Sequence, residues 1–296
     1  MAYNDLRDFI CDFTLDECSM GNQGYNRVLL QLFGYLGHGK SSFINSCKFV
    51  LDGEYKIIAE AGIKDGGLTM ERKSYRVTDS ITLVDNRGFG FMNDFEKIEI
   101  YAQLANFVPL DEPVEWKKTY NEIVDGLQKA EMDPQFTDLI VPILIYSVVQ
   151  AFAKEEESTL KTFISTCRKM TGITPIVVLT NKTSGNFKEF KQKFERFGAE
   201  VVFGVENYTE DDHLETRGRH MDILNILKNA LDDVRFRMQK EQNPKTEQST
   251  RKTFLLKMAH EIDKPQEDRE NERQEERKQP ANQSGGWFPW NLFRKK

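Results

Sequence analysis

The sequence predicts an α/β domain built on a mainly parallel sheet in three layers, followed by a charged extension that is helical or disordered. Two observations carry that reading. From Arg27 to about Met238, short apolar runs alternate with segments of helical period. Several of the apolar runs are continuous and β-branched, as expected of strands covered on both faces.

Taken in order, the expected strands are 27–33 (RVLLQLF), 73–79 (KSYRVTD), 80–85 (SITLVD), 138–147 (DLIVPILIYS), 175–180 (PIVVLT) and 200–205 (EVVFGV). Helices are expected at 40–51, 94–107, 114–130, 152–170, 186–197 and 220–240. In the last of these, Leu224, Leu227, Leu231, Val234 and Met238 recur at alternating spacings of three and four, which makes one apolar stripe. Residues 1–26 are polar, end in Gly21-Asn22-Gln23-Gly24, and read as an N-terminal arm with room for one short helix. Residues 241–286 are packed with Glu, Lys, Arg, Gln and Asn, and from 261 on they alternate in charge sign with almost nothing to bury, which describes a solvated helix or a disordered linker. The chain then ends in WFPWNLFRKK.

Composition narrows the class. With 39% hydrophobic and 30% charged residues, the 296-residue chain can build one sizeable core. The longest apolar run, 139–149, contains Pro142 and falls short of the roughly 18 residues needed to span a bilayer. The N-terminus is acidic, with no basic region before an apolar stretch, so no secretory signal is expected. A net charge of −6 argues against a nucleic-acid partner. The four cysteines (Cys11, Cys18, Cys47, Cys167) have neither disulfide-framework nor zinc spacing. The expectation is a cytoplasmic, reduced protein.

The strongest local signal is Gly34-Tyr35-Leu36-Gly37-His38-Gly39-Lys40-Ser41, which satisfies G-x-x-x-x-G-K-[ST] between a strand and a helix. Glycines let the backbone curl until successive N–H groups face one concavity, and the helix that follows adds the positive end of its dipole. Gly34, Gly37, His38, Gly39, Lys40, Ser41 and Ser42 are therefore the expected phosphate contacts. Lys40 neutralises the β- and γ-phosphates, and the Ser41 hydroxyl is placed for Mg²⁺. The next strand ends in Asp85-Asn86-Arg87-Gly88, a D-x-x-G in which Asp85 serves the Mg²⁺ shell and the Gly88 N–H approaches the γ-phosphate. Between the two motifs, the Gly-rich stretch 62–67 leads to Thr69, whose hydroxyl is the expected third Mg²⁺ contact. Thr78, or a purely structural loop, is the alternative.

These motifs resemble the translation-factor-related class of P-loop GTPases, in which N/T-K-x-D reads the base. Asn181 and Lys182 match that pattern, whereas Ser184 stands in the place of the Asp. A neutral hydroxyl is no bidentate, charged acceptor, so guanine selection is weakened or carried by another residue. The following Val205-Glu206-Asn207-Tyr208 resembles the interferon-induced protein 44-like family, where a strand ending in V-x-N-Y takes the final base-contacting position. That implies cofactor roles for Glu206 and Asn207. The resemblance covers about residues 25–235, and the G-K-S-S-F-I-N run at 39–45 is shared more distantly with immunity-related GTPases. It implies GTP/GDP and Mg²⁺ as cofactors and an innate immune role. Lys40, Thr69 and Gly88 are the expected catalytic positions.

Phe89 follows D-x-x-G where many GTPases carry Gln, so hydrolysis by the isolated chain should be slow unless a partner or self-association through the nucleotide face completes the site. Arg87 and His38 are candidate helpers. A nucleotide-gated binding module with little hydrolysis and a P-loop phosphotransferase are the alternative readings. In the last ten residues, Trp287, Phe288, Trp290, Leu292 and Phe293 precede Arg294, Lys295 and Lys296. That combination suits peripheral membrane contact, docking to a protein, or disorder.

Overall fold

A computed structural model of the chain describes residues 3–60, 71–90, 93–114, 119–130 and 137–263. These residues form an α/β fold: a mostly parallel sheet of seven strands, with eight helices among the described residues. The strands are β1 (Arg27–Phe33), β2 (Glu71–Arg76), β3 (Ile81–Asp85), β4 (Glu112–Pro113), β5 (Asp138–Ser147), β6 (Ile176–Thr180) and β7 (Val202–Val205). The helices are α1 (Tyr3–Cys11), α2 (Lys40–Asp52), α3 (Asp94–Leu104), α4 (Tyr120–Ala130), α5 (Lys154–Thr171), α6 (Phe187–Arg196), α7 (Arg217–Arg237) and α8 (Pro244–Asp263).

The sheet order is β4-β2-β3-β1-β5-β6-β7, with β2 antiparallel to β3 and β4 antiparallel to β2. β1 pairs in parallel with β3 on one side and β5 on the other, for example Leu32↔Asp85 and Leu32↔Ile143. The chain therefore changes direction across the sheet at β1, and the crevice beyond the carboxyl ends of β1, β3 and β5 is where open α/β sheets bind ligands. All ten residues of β5 are buried, as its unbroken apolar run requires. Alternate strand residues feed two cores. Val28, Leu30 and Leu32 pack with α1, α2 and α7, while Phe33, Leu144 and Tyr146 pack with α3, α4, α5, α6 and α8.

Several boundaries differ from expectation. The strand placed at 73–79 runs from Glu71 to Arg76, because Thr78 is used in the hairpin turn, where its Oγ1 accepts from the N–H groups of Ser80 and Ile81. The two-residue β4 carries too little pattern to read, and the helix expected from 114 begins at Tyr120. The N-terminal arm is docked: Leu6, Ile10, Phe13 and Leu15 are buried, and Arg7 Nε donates to the Leu51 carbonyl at the end of α2.

The extension expected over 241–286 takes the helical one of its two alternatives in its first part, and what departs from expectation is the burial of that helix. It is α8, which packs on α3, α4 and α5. Arg251, Leu255 and Ala259, spaced four apart, line its buried face. Glu247 accepts from Arg237 at 3.0 Å and lies 3.7 Å from Arg251, so the buried guanidinium is charge-compensated. The aromatic-basic tail 287–296 and the rest of the linker lie outside the described residues. Among the described residues, no helix is long and apolar enough to cross a membrane.

Leu255 is fully buried. Leu255→Ala should therefore cost about 2–5 kcal/mol of stability, read as a lowered urea midpoint at unchanged slope. An unchanged midpoint would show that α8 does not belong to the folded unit.

Candidate functional site

The site is built where β1 turns into α2. Gly34 has φ +144°, and a Cβ there would come within 2.2 Å of the Ile145 carbonyl oxygen, so the loop passes β5 at a distance only glycine allows. Gly39 has φ +91° and gives α2 no side-chain cap. The first amides of α2 thus have no capping side chain.

Lys40 is buried, and its Nζ donates to the carbonyls of Gly34 and Tyr35, each at 3.2 Å. Burial pushes its ammonium pKa down, while the nearby Asp85 pulls it up. Ser41 Oγ donates to Asp85 Oδ2 at 2.8 Å. Asp85 Oδ1 is buried without a hydrogen-bond partner. Burial raises the Asp85 carboxyl above the usual carboxylate range, against the pull of Lys40 and the Ser41 bond. An aliphatic hydroxyl beside a carboxylate with one unengaged oxygen suits a hard divalent cation. Among the described residues, no cluster of three or more His, Cys, Asp or Glu side chains could hold a metal by itself. A cation here would depend on water or on a ligand's own oxygens.

The stretch after β3 closes one side. A Cβ on Gly88 would lie 3.2 Å from Lys40 Nζ and 3.3 Å from the Gly34 carbonyl, so glycine permits the ammonium to sit where it does. Phe89 N–H donates to that same carbonyl at 3.0 Å, and the Phe89 ring is buried against Tyr35 and Phe163. Arg72, fully buried, holds this stretch from behind. Its Nε donates to Asn86 Oδ1 at 2.8 Å and its NH1 to the Val108 carbonyl, and burial lowers its pKa to about 9. The Arg72 role was invisible in sequence, since an Arg just before a polar strand reads as solvated.

The ends of β6 and β7 close the other side. Thr180 Oγ1 donates to the His38 carbonyl at 3.0 Å, and Asn207 Nδ2 donates to the Gly39 carbonyl at 3.1 Å. Asn181, at φ +56°, donates from Nδ2 to Ser147 Oγ at 2.8 Å. Thr183 donates from both its N–H and its Oγ1 to Glu206 Oε1, at 2.6 and 2.7 Å. Ser184 N–H donates to the Asn181 carbonyl, which closes the turn. Ser147 escaped sequence reading, although it ends β5 as Thr180 ends β6 and the two are register partners.

The structure thus gathers Gly34, Gly37, Gly39, Lys40, Ser41, Ser42, Asp85, Gly88, Asn181, Glu206 and Asn207 at the carboxyl edge of one sheet. Three side chains point elsewhere. His38 is buried on Tyr146, and its Nδ1 accepts from the Ser147 N–H. Arg87 donates to the Val114 carbonyl. Lys182, expected within the base-reading pattern, is engaged by Asp222 of α7. Thr78 lies at the start of β3, opposite the Asp85 end, and so is no alternative ligand. Thr69 lies outside the described residues. In comparisons with known proteins, no family model matches the chain and no curated protein is significantly similar to it.

Burial, reinforced by Lys40, lowers the His38 pKa from 6.5 to about 4. Between those values the unfolded chain holds a proton that the folded chain does not, so stability falls as pH drops from about 6.5 to about 4. The full loss is on the order of 3 kcal/mol. Urea unfolding at stepped pH should show a flatter dependence for His38→Gln than for the natural chain; equal slopes would remove His38 from the account.

Proposed function

We propose that this protein is a Mg²⁺-dependent GTP-binding protein that hydrolyses GTP slowly, a P-loop GTPase related to the interferon-induced protein 44-like family. One observation carries the reading: a buried, carbonyl-held Lys40 ammonium stands beside the Ser41–Asp85 pair, at the mouth of the parallel sheet. A polyanion arriving there meets the curled loop amides, the uncapped start of α2 and an ammonium with little competing hydration. Ser41 and the free oxygen of Asp85 would hold the cation, which neutralises phosphate oxygens when bound. Gly88 brings a backbone N–H beside Lys40 without steric obstruction, and Asn181 and Asn207 fix the far wall.

Hydrolysis demands more than binding. Phe89 occupies the position after Gly88 with a ring committed to the core. His38 is held neutral with Nδ1 engaged, and Arg87 is engaged by the Val114 carbonyl. None of these three side chains orients a water or spreads charge over a transferring phosphoryl group. The burial of Phe89 also favours the second reading, a nucleotide-gated binding module with little turnover. Cytoplasmic residence, drawn from composition and cysteine spacing, self-association through the nucleotide face, drawn from Phe89, and an innate immune role, drawn from the family resemblance, belong to the same proposal.

Titration of a fluorescent GTP analogue with Mg²⁺ should show saturable binding that Lys40→Ala lowers by a hundredfold or more, since a hydrogen-bonded charge is lost at each phosphate it touches. Retained affinity in a variant that still melts cooperatively would place the nucleotide elsewhere.

Phosphate release by the isolated chain should run on the order of 10⁻³ s⁻¹ or below, the range of unassisted P-loop hydrolysis. Turnover per molecule should rise with protein concentration; a flat profile would exclude assistance by a second copy.

A further inference from the structure

A guanine base presents two hydrogen-bond donors on one edge, N1–H and the 2-amino group, and an acceptor-only carboxylate is their natural complement. The turn at 181–184 offers no such group, since Ser184 has a single neutral hydroxyl. The adjoining strand end does. Glu206 reaches across from β7 to the 183–184 turn, where Thr183 N–H and Oγ1 both donate to its Oε1. Its other oxygen, Oε2, makes no hydrogen bond among the described residues.

The carboxylate is also firmly mounted. Arg219 of α7 donates from Nε to the Glu206 carbonyl at 3.3 Å and from NH2 to the Asn207 carbonyl at 2.6 Å. Asn207 is in turn tied to Gly39 of the phosphate loop. Residues 206 and 207 therefore diverge from one clamped backbone, Asn207 toward the phosphate side and Glu206 toward the base side. The pair Thr183–Glu206 is joined through space, so no motif with fixed spacing records it.

We infer that Glu206 supplies the base-reading carboxylate that Ser184 lacks, and that through Oε2 it makes the site selective for guanine over adenine and xanthine. This rests on the GTP-binding reading above. Adenine turns a ring-nitrogen acceptor, and xanthine a 2-oxo group, toward the same carboxylate, and each meets repulsion where guanine donates. Because Thr183 already occupies Oε1, one oxygen reads the edge. Selectivity is then that of one or two charged hydrogen bonds, about tenfold to a hundredfold.

The experiment is calorimetric titration of the full chain with the Mg²⁺ complexes of GTP, XTP and ATP, repeated on Glu206→Gln, on Glu206→Gln combined with Ser184→Asp, and on Lys40→Ala. Gln keeps an oxygen for Thr183, so the turn stays tied while the charge is lost and an amide donor faces the base. The natural chain should favour GTP over both others by about tenfold or more. Glu206→Gln should lose that preference, chiefly by weaker GTP and stronger XTP binding, and adding Ser184→Asp should restore it. ATP binding as tightly as GTP in the natural chain overturns the inference without any variant. A GTP:XTP ratio unmoved by Glu206→Gln overturns it too, while Lys40-dependent binding leaves the nucleotide site standing. Absence of binding by all three nucleotides defeats both.

Discussion

The ammonium group of Lys40 is the constraint around which the rest of this structure is arranged. It is buried beside a carboxylate that is itself buried, and each pays a desolvation cost that their mutual attraction offsets only in part. Two backbone carbonyls hold it in place. A second anionic ligand would relieve the imbalance. Placement of the ammonium dictates Gly88, where any side chain would crowd Nζ. It also fixes the path of the loop, because the Gly34 carbonyl accepts from both Lys40 and Phe89.

The fold serves that arrangement by bringing distant strand ends to one edge. β1 supplies the loop, β3 the carboxylate, and β6 and β7 the far wall, through side chains that grip loop carbonyls directly. None of those bonds spans fewer than forty residues, so the site exists only once the sheet has formed. Stability of the sheet is reinforced at its periphery. Arg27 bonds Asp138 at the start of the two central strands, at 2.7 and 3.2 Å. α1 is tied to α2, and α8 covers the face formed by α3, α4 and α5.

What was legible in the sequence followed the range of the physics involved. The turn from Gly34 to Ser41 was legible because a glycine-rich strand-to-helix junction is a local object, set by glycine conformations and the start of a helix. Asp85 was readable because an apolar strand must end somewhere, and an acid at its end is conspicuous. His38, Arg87 and Lys182 were misdirected because the orientation of a long or ring side chain is decided by partners far away in sequence: the Ser147 N–H, the Val114 carbonyl and Asp222. The buried face of α8 was missed for a related reason. The helix's many charges suggested solvent on all sides, whereas Arg251, Leu255 and Ala259 make a narrow buried stripe with Glu247 balancing the cation. Thr183 and Glu206 lie in neighbouring strand ends, and only the pairing of β6 with β7 makes them one unit.

Phe89 bears most directly on how such a site could switch. Its ring is buried and its N–H is bonded to the loop, while Gly90 N–H is accepted by the Glu96 carboxylate at the start of α3. Asn86, three residues earlier, is held by Arg72 and by the Leu32 carbonyl. The segment 86–90 is therefore pinned on both sides. Withdrawing the Phe89 ring alone costs about 1.5–3 kcal/mol of lost burial. A ligand shifts an equilibrium only by its difference in affinity for the two states. One hydrogen bond from Gly88 to a γ-phosphate, worth about 1.5–3 kcal/mol when the acceptor is charged, only matches that cost. If the proposed nucleotide binding holds, that balance leaves segment 86–90 in place when the ligand arrives, so binding by itself would not bring efficient hydrolysis with it.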